Sequence, residues 1–254
     1  MSRTDALVAR LNRYMPLDAE ERERIERATE RERRVAAGEV LFEEGGENDS
    51  LYVVQQGWLH SSVRIASTGG RQILRFHYAG DLMGTSSIAW SRASATLTAV
   101  SDCIVSEMPK ATLGRLFVDT PRLAGLLYAV AAAEAVAMSD RLTSIGRTDA
   151  RERLITLLLD MLARLRVTAG GVVDSFELPL TQADLGDATG MTKVHVNRTF
   201  RAMEAEGLIE RKGKRVRIVD EPALIRAVDF VDRYGEVATD WLPRGQGAVA
   251  SARL

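Results

Sequence analysis

Lys193, Val194, His195, Asn197, Arg198 and Arg201 stand within one short stretch, and Lys212 and Lys214 follow on either side of a glycine. Cationic heads and a side-chain amide at this spacing suit one chemistry: pairing with phosphate oxygens and reading donors and acceptors on base edges. At about 100° per residue, Val196, Phe200 and Met203 share one narrow helix face, the buried one. The opposite face carries Val194, His195, Arg198 and Arg201, with Lys193 and Asn197 at its flank. Thr181 is placed to cap a preceding helix, with Asp184 as its acidic partner, and Thr192 to cap the basic one. Gly190 breaks the first helix and Gly207 stops the second. Two short helices around a tight glycine turn predict a helix-turn-helix whose second helix enters a DNA major groove. Leu208-Ile209 and Arg215 to Ile218 alternate around Lys212-Gly213-Lys214, which predicts a basic-tipped hairpin, or wing. The expected DNA contacts are Thr181, Thr192, Lys193, Val194, His195, Asn197, Arg198, Arg201, Lys212 and Lys214.

Composition limits what must hold these residues in place. A chain of 254 residues accommodates two modest domains, and 34 basic against 35 acidic side chains give no overall positive charge. Any nucleic-acid contact is therefore local. The single Cys103 excludes an internal disulfide and a multi-cysteine metal site within one chain, and its apolar strand makes it a small buried hydrophobe. Neither a metal nor a cofactor is expected. No strand-to-helix nucleophile elbow, H-E-x-x-H, Walker loop or G-x-G-x-x-G occurs, so nothing supports an enzyme. The N-terminus lacks an apolar signal core, and the run from Leu123 to Ala133 is too short to span a bilayer. These features predict a cytoplasmic protein without a membrane partner.

Taken in order, residues 5 to 34 read as helical, and Asp18 to Arg34 is almost solid charge, with Glu20–Arg24 and Glu23–Arg27 at helical spacing. From Val35 to Met108 short strands alternate with glycine turns: 40–42, 50–55, 58–65, 72–76, 96–100 and 103–108. That pattern predicts a closed antiparallel jelly roll. Pro109 and Pro121 start helices, the second reaching about Ile145, with alanine on so many faces that a helix of a second chain could approach. Gly146 reads as a hinge, Arg151 to Leu165 as another helix, and Gly170-Gly171 as a turn opening a strand towards Leu180. The predicted fold is α+β. It comprises a jelly-roll sensor domain (1–120), a connecting and dimerising helix (121–146), the winged helix-turn-helix (147–220) and a C-terminal helical extension and tail (221–254).

This layout resembles the CRP/FNR regulators over roughly residues 10 to 220. The residues that carry the resemblance are G-x-x-x-x-S-L-Y-V-V-x-x-G from Gly45 to Gly57 and R-Q-I-L-R-F-H-Y-A-G-D-L-M-G from Arg71 to Gly84. G-R-T-D-A-R-E-R-L from Gly146 to Leu154, L-T-Q-A-D-L-G and V-H-V-N-R-T-F look like the FNR branch. The resemblance implies a cyclic-nucleotide-binding-like domain and a homodimer on an inverted repeat of double-stranded DNA, recruiting or blocking RNA polymerase. Three departures shape what carries over. Members that bind cyclic AMP carry a glutamate and an Arg-Ser pair where this chain has Thr85 and Ala93-Ser94. The oxygen-sensing branch holds several cysteines, and where the family's recognition helix often reads Arg-Glu-x-x-x-x-Arg this chain has Lys193-Val194 in place of the first two and keeps only Arg198. The expected effector pocket is Gly84, Thr85, Ser86, Arg92 and Ser94, for an effector other than cyclic AMP or none. His77, at a strand end, reads as a hydrogen-bonded surface residue rather than a haem ligand. The alternative function is a small-molecule-sensing module whose helix-turn-helix docks a protein.

Overall fold

A computed structural model describes residues 5–169 and 173–243, and the chain divides into two units. The first comprises 1–60, 77–133 and 236–254; the second comprises 61–76 and 134–235.

The N-terminal helices are α1 (Ala6–Tyr14) and α2 (Ala19–Ala28). They are separate because Met15, which precedes Pro16, takes an extended conformation that cannot continue a helix. Asp18 and Glu21 then form a capping box for α2. Glu20 accepts from Arg24 at 2.8 Å, and Glu23 pairs with Arg27, as their spacing predicts. The charged run does not stay helical to Arg34, however. Glu32–Val35 is a strand, β1, paired antiparallel with β8 (Cys103–Pro109), Glu32 opposite Ser106. Val35 enters the core while the three preceding charges stay exposed on this sheet edge, where they deter further pairing.

The remaining strands are β2 (Val40–Phe42), β3 (Ser50–Gln56), β4 (Leu59–Arg64), β5 (Arg71–His77), β6 (Leu82–Met83) and β7 (Thr96–Ala99). They form two four-stranded sheets, β1-β8-β3-β6 and β2-β7-β4-β5, the jelly roll expected from the turn spacing. Val35, Val54, Leu59, Met83, Leu97 and Val105 close the space between the sheets. Cys103 belongs to this core, its Sγ 3.2 Å from the Trp58 carbonyl oxygen, and burial pushes the thiol up. His77 is not a surface residue: it is buried, 4.0 Å from Asp81, whose carboxylate also accepts from Arg10 at 2.7 Å. The short helix α3 (Ser86–Ala89), then α4 (Lys110–Asp119) and the long α5 (Pro121–Arg147), complete the middle of the chain. A second core joins Leu7, Leu11, Ile25 and Leu116 to Leu123, Leu126 and Val130 of α5, and to Leu242 near the C-terminus.

Helix α5 is long and apolar enough to cross a membrane by length and composition alone. The apolar run thus extends past Glu134, further than the Leu123–Ala133 stretch alone indicates. Leu123, Leu126 and Val130 lie on its buried face, while Tyr128, Ala132, Ala135 and Leu142 are exposed on the opposite one. Gly146 lies inside the helix rather than at a hinge. The break falls at Thr148-Asp149, because Asp149 accepts from the N–H groups of Arg151 and Glu152 at 2.7 and 2.9 Å and caps α6 (Ala150–Ala169).

In the second unit α6 is followed by β9 (Ser175–Glu177), α7 (Gln182–Thr189), α8 (Lys193–Ala205), β10 (Ile209–Lys212), β11 (Arg215–Ile218) and α9 (Glu221–Val228). Gly170-Gly171, read as a turn, lies outside the described residues. β9 joins the hairpin to give the order β10-β11-β9, with Phe176 opposite Val216.

Candidate nucleic-acid interface

Both helices of the predicted pair form, and local chemistry sets their ends. Thr181 Oγ1 accepts from the Asp184 N–H at 3.1 Å and the Asp184 carboxylate accepts from the Thr181 N–H at 2.9 Å. Helix α7 ends at Gly190, whose φ of 70° is left-handed. Thr192 Oγ1 then accepts from the His195 N–H at 3.2 Å and starts α8. The turn between them is tight enough that Gly186 has no room for a side chain, since a Cβ there would lie 2.4 Å from the Met191 carbonyl oxygen.

Val196, Thr199, Phe200 and Met203 bury one face of α8. Its outer face and the start of α7 enclose an open concavity of about 440 Å³, lined by Gln182, Lys193, Val194, Asn197, Arg198 and Arg201. The structure thereby brings together five of the residues selected from sequence, Val194 among them with 71% of its surface exposed. His195 differs from its expected placement: it is half-buried on the flank of α8 and does not line the concavity. On a helical wheel it lies near Thr199, and α7 places the open space on the other side, towards Lys193 and Asn197. Gln182 is the residue that sequence reasoning missed. Its signal was its place directly after the Thr181 cap, where a side chain projects from a helix N-terminus. Thr181 and Thr192 are exposed, with their hydroxyls committed to the caps.

Several cations here are structural. Arg211 grips Glu204 at 2.7 and 3.0 Å and stacks over the Phe200 ring at 4.4 Å, and this contact holds the Glu204 carboxyl below its usual range. Arg217 pairs with Glu210 at 3.2 Å, and Arg215 donates to Ser175 at 2.9 Å. Lys212 and Lys214 remain exposed at the hairpin tip around Gly213. Among the described residues no ion pair engages Lys193, Arg198, Lys212 or Lys214, so their charges are available to a polyanion. Arg71 on β5 braces α7 from behind, contacting Asp184 at 2.6 Å and Asp187 at 2.7 Å. Burial works against Asp184, but the Thr181 hydroxyl and N–H and the Arg71 guanidinium hold its carboxyl below the usual range.

In the jelly roll, Gly84 and Ser86 are half-buried, and Thr85, Arg92 and Ser94 are exposed. Ala93 is buried between the two exposed neighbours, the alternation of an extended segment. Arg92 points away from the core and donates to the Gly45 carbonyl at 2.8 Å.

The family described as Crp-like helix-turn-helix domain matches residues 152–227, and the family described as cyclic nucleotide-binding domain matches residues 32–120. Over 220 residues the chain is 28% identical to the fumarate and nitrate reduction regulatory protein of Escherichia coli K12, covering 87% of each. The structure of FixK2 from Bradyrhizobium japonicum is similar with a TM-score of 0.70 and 26% identity, over 79% of this chain and 97% of that one. The fold alone is shared with the regulator CLP of Xanthomonas campestris, at a TM-score of 0.63 and 18% identity, over 80% of this chain and 100% of that one.

Proposed function

This chain belongs to the CRP/FNR family of transcription regulators, and we propose that it acts in the cytoplasm as a homodimer on an inverted-repeat operator. The observation that carries the reading is the concavity on α8, a basic and amide-lined surface, together with the exposed Lys212 and Lys214 at the hairpin tip. Lys193, Arg198, Lys212 and Lys214 neutralise phosphates or grip guanine, and Gln182 and Asn197 supply amides for base edges. Thr181 and Thr192 set the helix ends that present them. The exposed stripe Tyr128, Ala132, Ala135 and Leu142 on α5 supplies an apolar face for a second copy, with the two alanines at its middle leaving room for another helix to approach. Two protomers then read half-sites about 34 Å apart, one helical turn of DNA, and recruit or obstruct RNA polymerase.

Cyclic AMP is not the effector in this reading. A cyclic phosphate in a partly dry pocket needs a paired cation. Ala93 stands where cyclic-AMP-binding relatives carry arginine, and Arg92 faces outward onto the Gly45 carbonyl. Calorimetry with cyclic AMP is expected to show no micromolar binding.

The test of the DNA reading is a titration of selected operator by the full chain at several salt concentrations. Arg198→Ala is expected to weaken binding and to reduce the salt slope by about one unit. Unchanged affinity and unchanged slope would show that α8 does not face DNA.

A further inference from the structure

The second unit contains a cavity of about 270 Å³ that the DNA interface does not use. It lies among the second half of α5, α6, the end of α7 and the segment Val228–Tyr234 that follows α9. That last wall lies beyond the 152–227 span of the helix-turn-helix family match, so it is built by this chain's own C-terminal extension. Phe76, Met138, Leu157, Phe230 and Val231 give it apolar sides. Its polar groups converge. Arg75 forks onto Glu134 at 2.7 and 2.9 Å, and Arg164, almost wholly buried, lies 3.7 Å from the same carboxylate and 4.5 Å above the Tyr234 ring. Arg141 donates to the carbonyl of Ala188 at 3.0 Å, and Arg153 to that of Thr189 at 3.0 Å. Both acceptors are among the last carbonyls of α7, the first helix of the helix-turn-helix.

The charges do not balance. Arg233 is matched by Asp140 at 2.7 Å at the exposed edge, where Asp229 also stands. Over the whole lining five arginines, Arg75, Arg141, Arg153, Arg164 and Arg233, stand against four carboxylates, Glu134, Asp140, Asp160 and Asp229, an excess of one cation. Apolar walls with a few convergent cationic donors suit a small amphipathic anion.

We propose that this cavity is a binding site for a small monoanion with an apolar ring or chain, an aryl or alkyl carboxylate, and that its occupancy is felt by α7. An anion drawn to Arg141 and Arg153 competes with the Ala188 and Thr189 carbonyls for the same N–H donors, and so resets the end of α7. Burial raises the Asp160 carboxyl above its usual range, against the pull of Arg164 and Arg141. The regulatory half of the proposal rests on the DNA-binding reading; the binding half does not.

The test uses the full chain, 2-naphthoate as probe and the neutral isostere 2-naphthamide as control. Calorimetry is expected to show 2-naphthoate binding below about 1 mM, with the amide about tenfold weaker, one charge-assisted contact. Arg141→Met is expected to weaken 2-naphthoate about tenfold. Ala137→Trp fills the cavity from α5 and is expected to abolish binding, and melting curves establish that each variant folds. If one variant does not fold, the other decides. No binding at 1 mM, equal affinity for acid and amide, or undiminished binding by Ala137→Trp would overturn the site. On selected operator, 2-naphthoate is expected to change the affinity of the wild type but not of Ala137→Trp. Binding of the probe without any effect on operator affinity would overturn the regulatory half. If no operator is bound at all, the DNA reading fails, while calorimetry still decides the cavity.

Discussion

Gly186→Ala sets two physical effects of opposite sign against each other. Gly186 lies inside α7, where alanine is intrinsically favoured over glycine by about 1 kcal/mol. The added Cβ, however, would stand 2.4 Å from the Met191 carbonyl oxygen, 0.6 Å inside the 3.0 Å that real Cβ atoms keep. The obstacle is backbone, and it is held in place because the Met191 N–H donates to the Gly186 carbonyl at 3.0 Å. Overpacking of this kind costs about 1–3 kcal/mol, so the net change is a destabilisation of about 0–2 kcal/mol. Relief of the clash moves Met191, and with it the Thr192 cap and Lys193, the first residue of the concavity. Loss of one well-aligned contact to DNA is worth about 1–3 kcal/mol, so affinity is expected to fall about fivefold to a hundredfold. Urea denaturation and fluorescence anisotropy on an operator duplex at fixed salt measure the two effects. A variant more stable than the wild type, with full affinity, would refute the argument from the turn.

Val194 is exposed within the concavity and accepts no hydrogen bond, so Val194→Glu is expected to swing preference at its base pair from T·A towards cytosine by about 1–3 kcal/mol. Identical selected motifs for the two proteins would contradict this. The Asp184 carboxyl, held low by Thr181 and Arg71, contributes stability above the ordinary carboxylate range and loses it as pH falls through its lowered value. The stability difference between the wild type and Asp184→Asn should therefore shrink between pH 5 and pH 2, about the range in which carboxylates protonate. A difference that stays constant in urea melts across that range would disprove the linkage. Leu242 is 8% exposed in the first unit's core, and Leu242→Ala is expected to cost about 2 kcal/mol, at the low end for a core leucine because it sits at the margin. A change below about 0.5 kcal/mol would mean that the C-terminal segment does not dock there.

The helix-turn-helix was legible because its signals are local. The caps at Thr181 and Thr192, the left-handed Gly190 and the stripe of Val196, Phe200 and Met203 each follow from neighbours a few residues apart. The side of α8 that opens to a ligand was not legible, since it depends on where α7 packs; His195 was therefore placed too centrally and Gln182 was overlooked. The alternation of short strands revealed the jelly roll, yet Glu32–Val35 escaped because its charges obscure a strand made by pairing with β8. Similarly, Gly146 drew attention as a hinge although the capping side chain of Asp149 ends the helix run. The charged cavity joins Arg75, Glu134, Asp160 and Tyr234 from four distant segments, and no periodicity announces such a site.

The central claim is that two copies of α8 read two halves of one site. Its most direct test is selection of duplexes from random sequence by the full chain, followed by sedimentation of the complex on the enriched duplex. The account expects an inverted repeat with half-site centres about 34 Å apart and two protomers bound per duplex. Enrichment of a single half-site occupied by one protomer, or no enriched motif at all, would contradict it.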